Sequence, residues 1–308
     1  MTAGPSGGAV RVSIDAGQSS IRVRVDGADG GEPSELSFSG IRAERSAVAQ
    51  ITELLTAHDA WGAYSVAVGL SGYDDDPAAV GALLDAAPSI RHAAIAHDSI
   101  TGYLGANGDA HGVVAAVGTG VVVLGAGPRG AARVDGWGAI FGDAGSAHWI
   151  GRAAIDAVLR ARDGRGRSTA LTALAEKAFG DLGTLYLTVQ SDPDRVSRVA
   201  AFARAVTACA ETDEIANDII DRAAAELANS IVAACRRAGV HAAHARLSGT
   251  GQVLTAPVVV TRLAEHLRER MPQARLEPPL GQPIDGVERL HGLAAEHVLR
   301  ASVFSASR

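Results

Sequence analysis

Lysine is almost absent from this 308-residue chain, in which Lys177 is the only one. A Walker A phosphate loop needs a Gly-Lys-Ser/Thr sequence, and no such sequence occurs here. The formal net charge of −6 also argues against a nucleic-acid-binding surface, because such a surface needs clustered Lys and Arg. If the chain binds a nucleotide, it must do so through a different motif.

Cysteine is scarce as well, since Cys209 and Cys235 are the only two and form no Cys-x-x-Cys pair. This disfavours a zinc ribbon or an iron–sulfur site, and the two thiols fit a reducing compartment. No apolar run is long enough to cross a membrane, and the first ten residues lack the features of a signal peptide. We therefore expect a soluble, cytoplasmic protein with no nucleic-acid or membrane partner.

Hydrophobic periodicity predicts an α/β fold in which one pattern occurs twice. Val10–Ile14 and Ile21–Val25 alternate apolar and polar residues on either side of a Gly/Ser turn, which indicates a hairpin. Gly112–Val117 and Val121–Leu124 repeat this arrangement about one domain later. Alternating helices and strands follow the first hairpin, and residues 146–237 are mostly helical in pattern. The repetition favours two related α/β domains.

In the C-terminal part of the chain, the pattern predicts one strand, a helix that begins near Pro257 and a last helix. Ala245–Leu247 predicts a strand that leads into a polar connection, Ser248–Gly251, before the next helix. Asp285 and Glu288 have the spacing of a capping box, so we expect the last helix to begin at Asp285 and to end near Ala301.

Three glycine-containing turns are candidate phosphate or nucleotide sites. In the first, residues 15–20, Asp15 stands at a strand end, where a carboxylate can hold Mg²⁺ through water. The second, Gly118–Gly120, lets backbone amides approach a ligand closely. The third, Ser248–Gly251, follows a strand, where nucleotides bind in α/β folds. Each can equally be an ordinary connection, because Gly, Asp and Ser are common in turns.

Two further aspartates are candidates for substrate chemistry. Asp98 ends an apolar strand, where it can act as a general base or cap the following helix. Asp143 lies in residues 135–147, a segment rich in Gly that suits neither a core nor a solvated loop and indicates a pocket. Asp143 can also be the cap of a helix that begins near Ser146.

The order of these motifs resembles that of the N-acetylglucosamine kinases within the BadF/BadG/BcrA/BcrD ATPase family. The resemblance runs from Val10 to about Leu299 and is greatest over Gly136–Ile150, which is similar to the family block GWG…GDEGSAYWI. It implies a two-lobed actin-like ATPase, with duplicated RNase H-like domains and a helical elaboration in the second lobe.

The same resemblance implies domain boundaries. The N-terminal lobe would span residues 1–115, completed by a C-terminal helix at about 287–308. The second lobe would span residues 116–286 and carry the helical insertion at about 150–238.

The resemblance also implies the reaction and its site. ATP with Mg²⁺ would phosphorylate the 6-hydroxyl of a small amino sugar, N-acetylglucosamine first among them. Asp98 would be the catalytic base, and Asp15 would hold Mg²⁺ through water. Nucleotide contacts would come from Asp15, Gly17, Gln18, Ser19, Ser20, Gly118, Thr119, Gly120, Gly249, Thr250 and Gly251. The sugar would contact Asp98, Thr119, Gly136, Trp137, Asp143 and Ala147.

Several positions depart from the family pattern. Ala16 replaces a glycine, Val121 replaces a serine, Ala144 replaces an acid, and residues 37–41 contain no Asn to match an early sugar-binding one. Glucosamine, N-acetylmuramic acid or another hexose therefore stay open as acceptors, as does a non-catalytic sugar- or nucleotide-binding protein. An activator ATPase is disfavoured by the separated cysteines. Members of this family are often homodimers, but the sequence does not determine the oligomeric state.

Overall fold

The computed structural model describes residues 10–42, 44–58 and 61–308, so most of the N-terminal segment considered for a signal peptide lies outside the described residues. The chain divides into two compact units. The first contains residues up to Ala110 together with Pro279–Arg308, and the second contains His111–Pro278. In the described part of the chain, no helix combines the length and the apolar character needed to span a membrane.

The first unit begins with a strand meander followed by alternating helices and strands. In chain order its elements are β1 (Val10–Ala16), β2 (Ser20–Asp26), β3 (Ser34–Ser39), α1 (Ala47–Ala57), β4 (Tyr64–Leu70), α2 (Ala78–Ala86), β5 (Ile90–His97) and α3 (Asp98–Asn107). The β1–β2–β3 meander is antiparallel, whereas β4 pairs parallel to both β1 and β5. Alternate residues of β1 therefore face opposite sides of the sheet. Val12 and Ile14 join the core formed with α1 and α2.

The second unit repeats this start and then adds helices. Its elements are β6 (Gly112–Val117), β7 (Val121–Gly127), β8 (Gly130–Val134), α4 (Gly138–Phe141), α5 (Ala147–Arg162), α6 (Leu171–Phe179), α7 (Leu185–Gln190), α8 (Arg195–Ala201), α9 (Ala203–Cys209), α10 (Glu214–Ala238), β9 (Arg246–Thr250), α11 (Pro257–Arg270) and β10 (Leu276–Glu277). The helices from α5 to α10 confirm the predicted helical region. The apolar faces of α5, α6, α7, α9 and α10 form one core with β6 and β7.

The two sheets share one topology. Five strands of the six-stranded first sheet have the order β3–β2–β1–β4–β5, and the second sheet has the order β8–β7–β6–β9–β10. Among these five strands in each sheet, the first three are antiparallel. The other two pair parallel to the first strand of the meander or to each other. The predicted duplication of an α/β domain is therefore confirmed by the pairing as well as by the order of elements.

The end of the chain returns to the first unit as α12 (Pro283–Leu290) and β11 (Val303–Ser307). The predicted helix from Asp285 to Ala301 is wrong at both ends. The capping box joins Gln282 and Asp285, one helical turn before the expected pair. The helix then stops, and β11 pairs antiparallel with the open edge of β5, which satisfies backbone groups that a longer helix would leave exposed.

The division between the units also differs from the predicted one. Strand β6 pairs with β7 and β9, so it belongs wholly to the second unit, which starts at His111 rather than at residue 116. Likewise α12 packs on α3 and β1, so the first unit resumes at Pro279 rather than at residue 287.

Candidate active site

The carboxyl edge of the first sheet brings two predicted site residues together. Asp15 is the penultimate residue of β1 and pairs with Gly69 of β4, which in turn pairs with Ala96 of β5. Asp98 follows β5 directly, as the first residue of α3. Because β1, β4 and β5 are parallel, their carboxyl ends meet at one edge, and the two carboxylates influence each other there.

Asp15 is electrostatically unusual. Burial, and to a smaller extent the negative charge of Asp98, raise its pKa from 3.8 to about 6. The positive charge of Arg22, which lies opposite Asp15 on β2, acts in the other direction. Two neighbouring carboxylates, of which Asp15 is partly buried, favour binding of a cation.

Asp98 does not cap the helix that it begins. The cap of α3 is His97, whose Nδ1 accepts a hydrogen bond from the backbone N–H of Ser99. The structural role that the sequence left open for Asp98 is therefore filled by its neighbour. The Asp98 side chain is 36% exposed and lies 2.8 Å from the His97 ring, measured from Oδ1 to Nδ1.

The first turn is tied to its surroundings through its backbone. The N–H of Gly17 donates to the carbonyl oxygen of Ser20, and the carbonyl oxygen of Gly17 accepts from the N–H of Ile41. Gly40 lies directly against the backbone of Gln18, where a Cβ would overlap it. Gln18 and Ser19 remain exposed at the tip. The predicted site residues at positions 17–20 therefore form a fixed, solvent-facing turn next to Asp15.

The second turn, Gly118–Gly120, is held by the start of α5. The carbonyl oxygens of Gly118 and Thr119 accept hydrogen bonds from the N–H groups of Ala147 and His148, at 2.9 and 3.1 Å. In a trans peptide the N–H points opposite to the carbonyl, and no described peptide bond is cis. The N–H groups of Thr119 and Gly120 therefore point away from α5, a suitable arrangement for phosphate oxygens.

Asp135 organises the loop that carries Gly136, Trp137 and Asp143. Its Oδ1 accepts hydrogen bonds from the N–H groups of Gly136 and Asp143, both at 2.8 Å, and its Oδ2 accepts one from Ala144 at 2.9 Å. These bonds close the loop at its base. Trp137 lies on the loop and is 76% exposed.

Asp143 is buried and points at the second turn. A Cβ on Gly120 would lie 2.6 Å from Asp143 Oδ2, so a larger residue at this position would displace the carboxylate. Burial raises the pKa of Asp143, the N–H groups of Val121 and Gly138 lower it, and the charge of Asp135 raises it. The cap of α5 is Ser146, whose Oγ accepts from the N–H of Trp149. The capping role considered for Asp143 is therefore wrong.

The third motif is mostly strand rather than loop. Gly249 and Thr250 belong to β9, and only Gly251 lies beyond it, with φ +94°. A Cβ on Gly251 would overlap the carbonyl oxygen of Val117, so the chain can pass this close to β6 only with glycine here. A 3₁₀ turn, Gln252–Thr255, follows directly.

One cavity of about 240 Å³ in the second unit combines several of these elements. It is lined by Gly118 and Thr119 of the second turn, by Ala147 of α5 and by the 3₁₀ turn after Gly251. The opposite wall comes from α8 and α9, whose polar contributions are Ser197, Arg204 and Thr207. These three residues were not predicted from the sequence, because nothing in a helical, Ala-rich segment marks them as ligand contacts.

The residues present fit Mg²⁺ held through water. Within the described residues no group of three or more His, Cys, Asp or Glu side chains is placed to hold a metal ion directly. A single partly buried carboxylate with a raised pKa, Asp15, suits a hydrated Mg²⁺, which usually keeps several of its waters.

The duplicated topology and the paired turns define an actin-like ATPase fold. The family model described as "BadF/BadG/BcrA/BcrD ATPase family" matches residues 33–287, and the chain belongs to this family. A search among curated proteins finds no match.

Three of the solved structures with the same fold are described as sugar kinases, and a ROK family transcriptional regulator also matches, with a TM-score of 0.52. A proposed N-acetylglucosamine kinase from Chromobacterium violaceum is 21% identical, with a TM-score of 0.74 over 92% of this chain and 99% of that one. A second, from Porphyromonas gingivalis, is 19% identical, with a TM-score of 0.69 over 92% and 98%. A ROK family glucokinase from Streptomyces griseus, bound to glucose and AMPPNP, is 14% identical, with a TM-score of 0.56 over 92% and 98%. At these identities the similarity establishes the fold.

Proposed function

We propose that this protein is an ATP-dependent kinase that transfers the γ-phosphoryl group of ATP to the 6-hydroxyl of an amino sugar, with N-acetylglucosamine as the first candidate. The observation that carries the proposal is the carboxylate pair at the edge of the first sheet. Asp98 begins a helix without capping it, and Asp15 has a pKa raised by burial and by Asp98. Family membership and the descriptions of the structural relatives point the same way.

In the first unit we assign Asp98 to take the proton of the acceptor hydroxyl. A general base of this kind contributes about 10²–10⁴-fold to the rate. Asp15 is assigned to hold Mg²⁺ through water, and the cation would neutralise charge on the phosphates. The turn at residues 17–20 is assigned to contact phosphate oxygens. Catalysis of phosphoryl transfer rests mainly on such positioning and electrostatic stabilisation.

In the second unit we assign the cavity of about 240 Å³ to the nucleoside of ATP. Its position between the Gly118–Gly120 turn and the residues after Gly251 supports this assignment. The outward N–H groups of Thr119 and Gly120 are assigned to the phosphates. Asp143 and the backbone of Gly136 are assigned to sugar hydroxyls, for which a buried carboxylate is a strong acceptor.

A coupled ADP-release assay with Mg-ATP tests the proposal across glucosamine, N-acetylglucosamine, N-acetylmuramic acid and unsubstituted hexoses. We expect sugar-dependent ADP release that falls about 10²–10⁴-fold in Asp98→Asn, because the base is lost while nucleotide and sugar contacts remain. Glu296→Gln, a change of an exposed acid in the same unit, is the matched control and should keep wild-type rates. ATP binding without release on any sugar would instead support a non-catalytic sugar or nucleotide sensor.

A further inference from the structure

A second cavity, of about 210 Å³, lies within the second unit between α4 and the start of α5. This volume is several times the about 30 Å³ that one water molecule occupies in the liquid. One wall contains Ile140 and Phe141 of α4, and another contains His148 and Arg152, which are four residues apart on α5 and so share a face. None of the described residues that line the cavity is acidic. The cavity therefore combines two basic groups with apolar surface.

The cavity begins next to Asp143, the residue assigned to sugar hydroxyls. Gly142 and Ala144, which flank Asp143 in the chain, both line it. The Asp143 carboxylate is directed elsewhere, because its Oδ2 lies against Gly120 of the second turn. The negative charge of Asp143 therefore does not occupy a wall of the cavity, and a sugar bound at Asp143 has the cavity beside it.

The two basic side chains of the cavity are available to a ligand. Within the part of the chain that the structure describes, neither the His148 ring nor the Arg152 guanidinium makes a hydrogen bond or an ion pair with a carboxylate. Burial lowers the pKa of His148, the positive charge of Arg152 lowers it too, and the negative charge of Asp143 raises it. An added anion would relieve the repulsion between the two basic groups. A guanidinium in particular matches the planar, two-oxygen geometry of a carboxylate.

We propose that this cavity receives a carboxylate-bearing substituent of the sugar, with Arg152 and His148 as partners of the carboxylate and the α4 wall beside its carbon atoms. The inference rests on the proposed function, because it takes Asp143 as a contact of the sugar. It assigns acidic amino sugars as the acceptors that bind most tightly. N-acetylglucosamine has no such substituent and would bind through the other sugar contacts alone. The transferred group and the acceptor hydroxyl stay those of the proposed reaction.

Four substitutions test the charge of the cavity separately from its shape. Arg152→Gln removes the guanidinium charge but keeps a polar side chain. Ala144→Glu adds a carboxylate to the wall, and Ala144→Gln adds a side chain of nearly the same size without charge. Arg160→Gln is the control on the same helix, because Arg160 is half-exposed, lies outside the cavity and bonds Asp156. The comparison of Glu with Gln at position 144 does not depend on how the loop accepts a larger residue.

The experiment is calorimetric titration of the full chain, in the presence of Mg-ADP, with N-acetylmuramic acid and with N-acetylglucosamine. These two sugars differ only in a lactic acid group joined through an ether, so the ratio of their dissociation constants reports on that group. We expect wild type to bind N-acetylmuramic acid at least about tenfold more tightly, because charged hydrogen bonds are gained. This preference should be lost in Arg152→Gln and kept in Arg160→Gln. Ala144→Glu should reduce it at least about fivefold more than Ala144→Gln does, and the thermal unfolding midpoint checks that each variant is folded.

Three results would overturn the inference alone. The first is wild-type protein that binds N-acetylmuramic acid no more tightly than N-acetylglucosamine. The second is a preference that Arg152→Gln leaves unchanged, and the third is an equal effect of Glu and Gln at position 144, which would mean that the cavity does not respond to charge. In each case N-acetylglucosamine still binds, so the proposed kinase is unaffected. Absence of binding by both sugars is distinguishable from these, because it would reject the sugar site and the inference together.

Discussion

At the scale of single residues, the candidate site contains two acidic side chains whose burial or backbone conformation lowers the stability of the folded protein. Asp15 is an acid in partial burial beside another acid, and Asp143 is a buried acid at φ +57°. Positive φ is uncommon for non-glycine residues and costs about 1–3 kcal/mol where it is enforced. Neither residue contributes to stability in an obvious way, which supports a role in binding.

The pKa of Asp15 gives a stability prediction. A folded-state pKa of about 6, against 3.8 in the unfolded chain, means that the folded protein binds this proton more tightly. The contribution of Asp15 to stability is therefore greatest below about pH 4 and is lost as the pH rises through 6. In Mg²⁺-free buffer, Asp15→Asn should be up to about 3 kcal/mol more stable than wild type at pH 8, with the difference shrinking towards pH 4.

Denaturant unfolding at the two pH values measures this difference. Asp85→Asn, at a side chain 88% exposed, is the control and should change stability little at either pH. Equal or lower stability of Asp15→Asn at pH 8 would contradict the proposed electrostatic cost of the site.

Asp143 gives a binding prediction. Asp143→Ala should weaken the binding of sugar at least about tenfold and that of ATP much less, because its carboxylate is assigned to sugar hydroxyls. Calorimetric titration with each ligand measures both affinities. Asp156→Ala, an exposed acid on α5, is the control. An equal loss of both affinities in Asp143→Ala would assign Asp143 to the structure of the loop instead.

At the scale of elements, the helix that presents Asp98 is positioned by the end of the chain. Helices α3 and α12 pack closely because a glycine on each helix lies against the backbone of the opposite segment. A Cβ on Gly105 would overlap the carbonyl of Gln282, and a Cβ on Gly286 would overlap the carbonyl of Thr101. Arg24 fixes α12 from the other side, with bonds to Asp285 and Glu288 at 2.7 and 2.9 Å.

This contact predicts a matched pair of substitutions. Gly286→Ala should destabilise the protein by about 1–3 kcal/mol or more and lower kcat, because α3 must move away and shift Asp98. Gly102→Ala, on α3, meets nothing within 4 Å and should stabilise by about 0.5–1 kcal/mol with activity unchanged. Thermal unfolding and the ADP-release assay measure both effects. Unchanged stability in Gly286→Ala would show that the helices tolerate separation.

The sequence predicted those elements whose pattern is local. The hairpins around residues 15–20 and 118–120 follow from alternating residues and turn chemistry, and both are present. Strand β9 was cut short because Ser248 and Gly249 have low strand propensity, which tertiary pairing with β6 and β10 overrides. The last helix was misplaced because Asp285 pairs with the residue before the helix rather than with Glu288.

The candidate site was predictable only where a motif marks it. Asp15, Asp98 and Asp143 stand at strand ends or in a Gly-rich segment, so chemistry and position single them out. The capping of α3 by His97 depends on a side-chain orientation that no spacing reveals. Arg204 and Thr207 reach the cavity from α9, which is distant in sequence from the turns, through packing that periodicity does not specify.

At the scale of the whole molecule, two units with one topology carry complementary sets of candidate residues. The first unit contributes the carboxylates assigned to proton transfer and to Mg²⁺. The second contributes the cavity assigned to the nucleoside and the buried Asp143. Each unit has its own core. The proposed kinase activity therefore requires both units, and only product formation tests them together.

The most direct measurement is mass-spectrometric detection of the phosphorylated sugar after incubation with Mg-ATP and N-acetylglucosamine, beside its 6-deoxy analogue. We predict a sugar monophosphate from N-acetylglucosamine with wild-type protein, almost none from Asp98→Asn, and none from the 6-deoxy sugar, which lacks the acceptor hydroxyl. Phosphorylation of the 6-deoxy analogue, or undiminished product with Asp98→Asn, would contradict the proposed reaction.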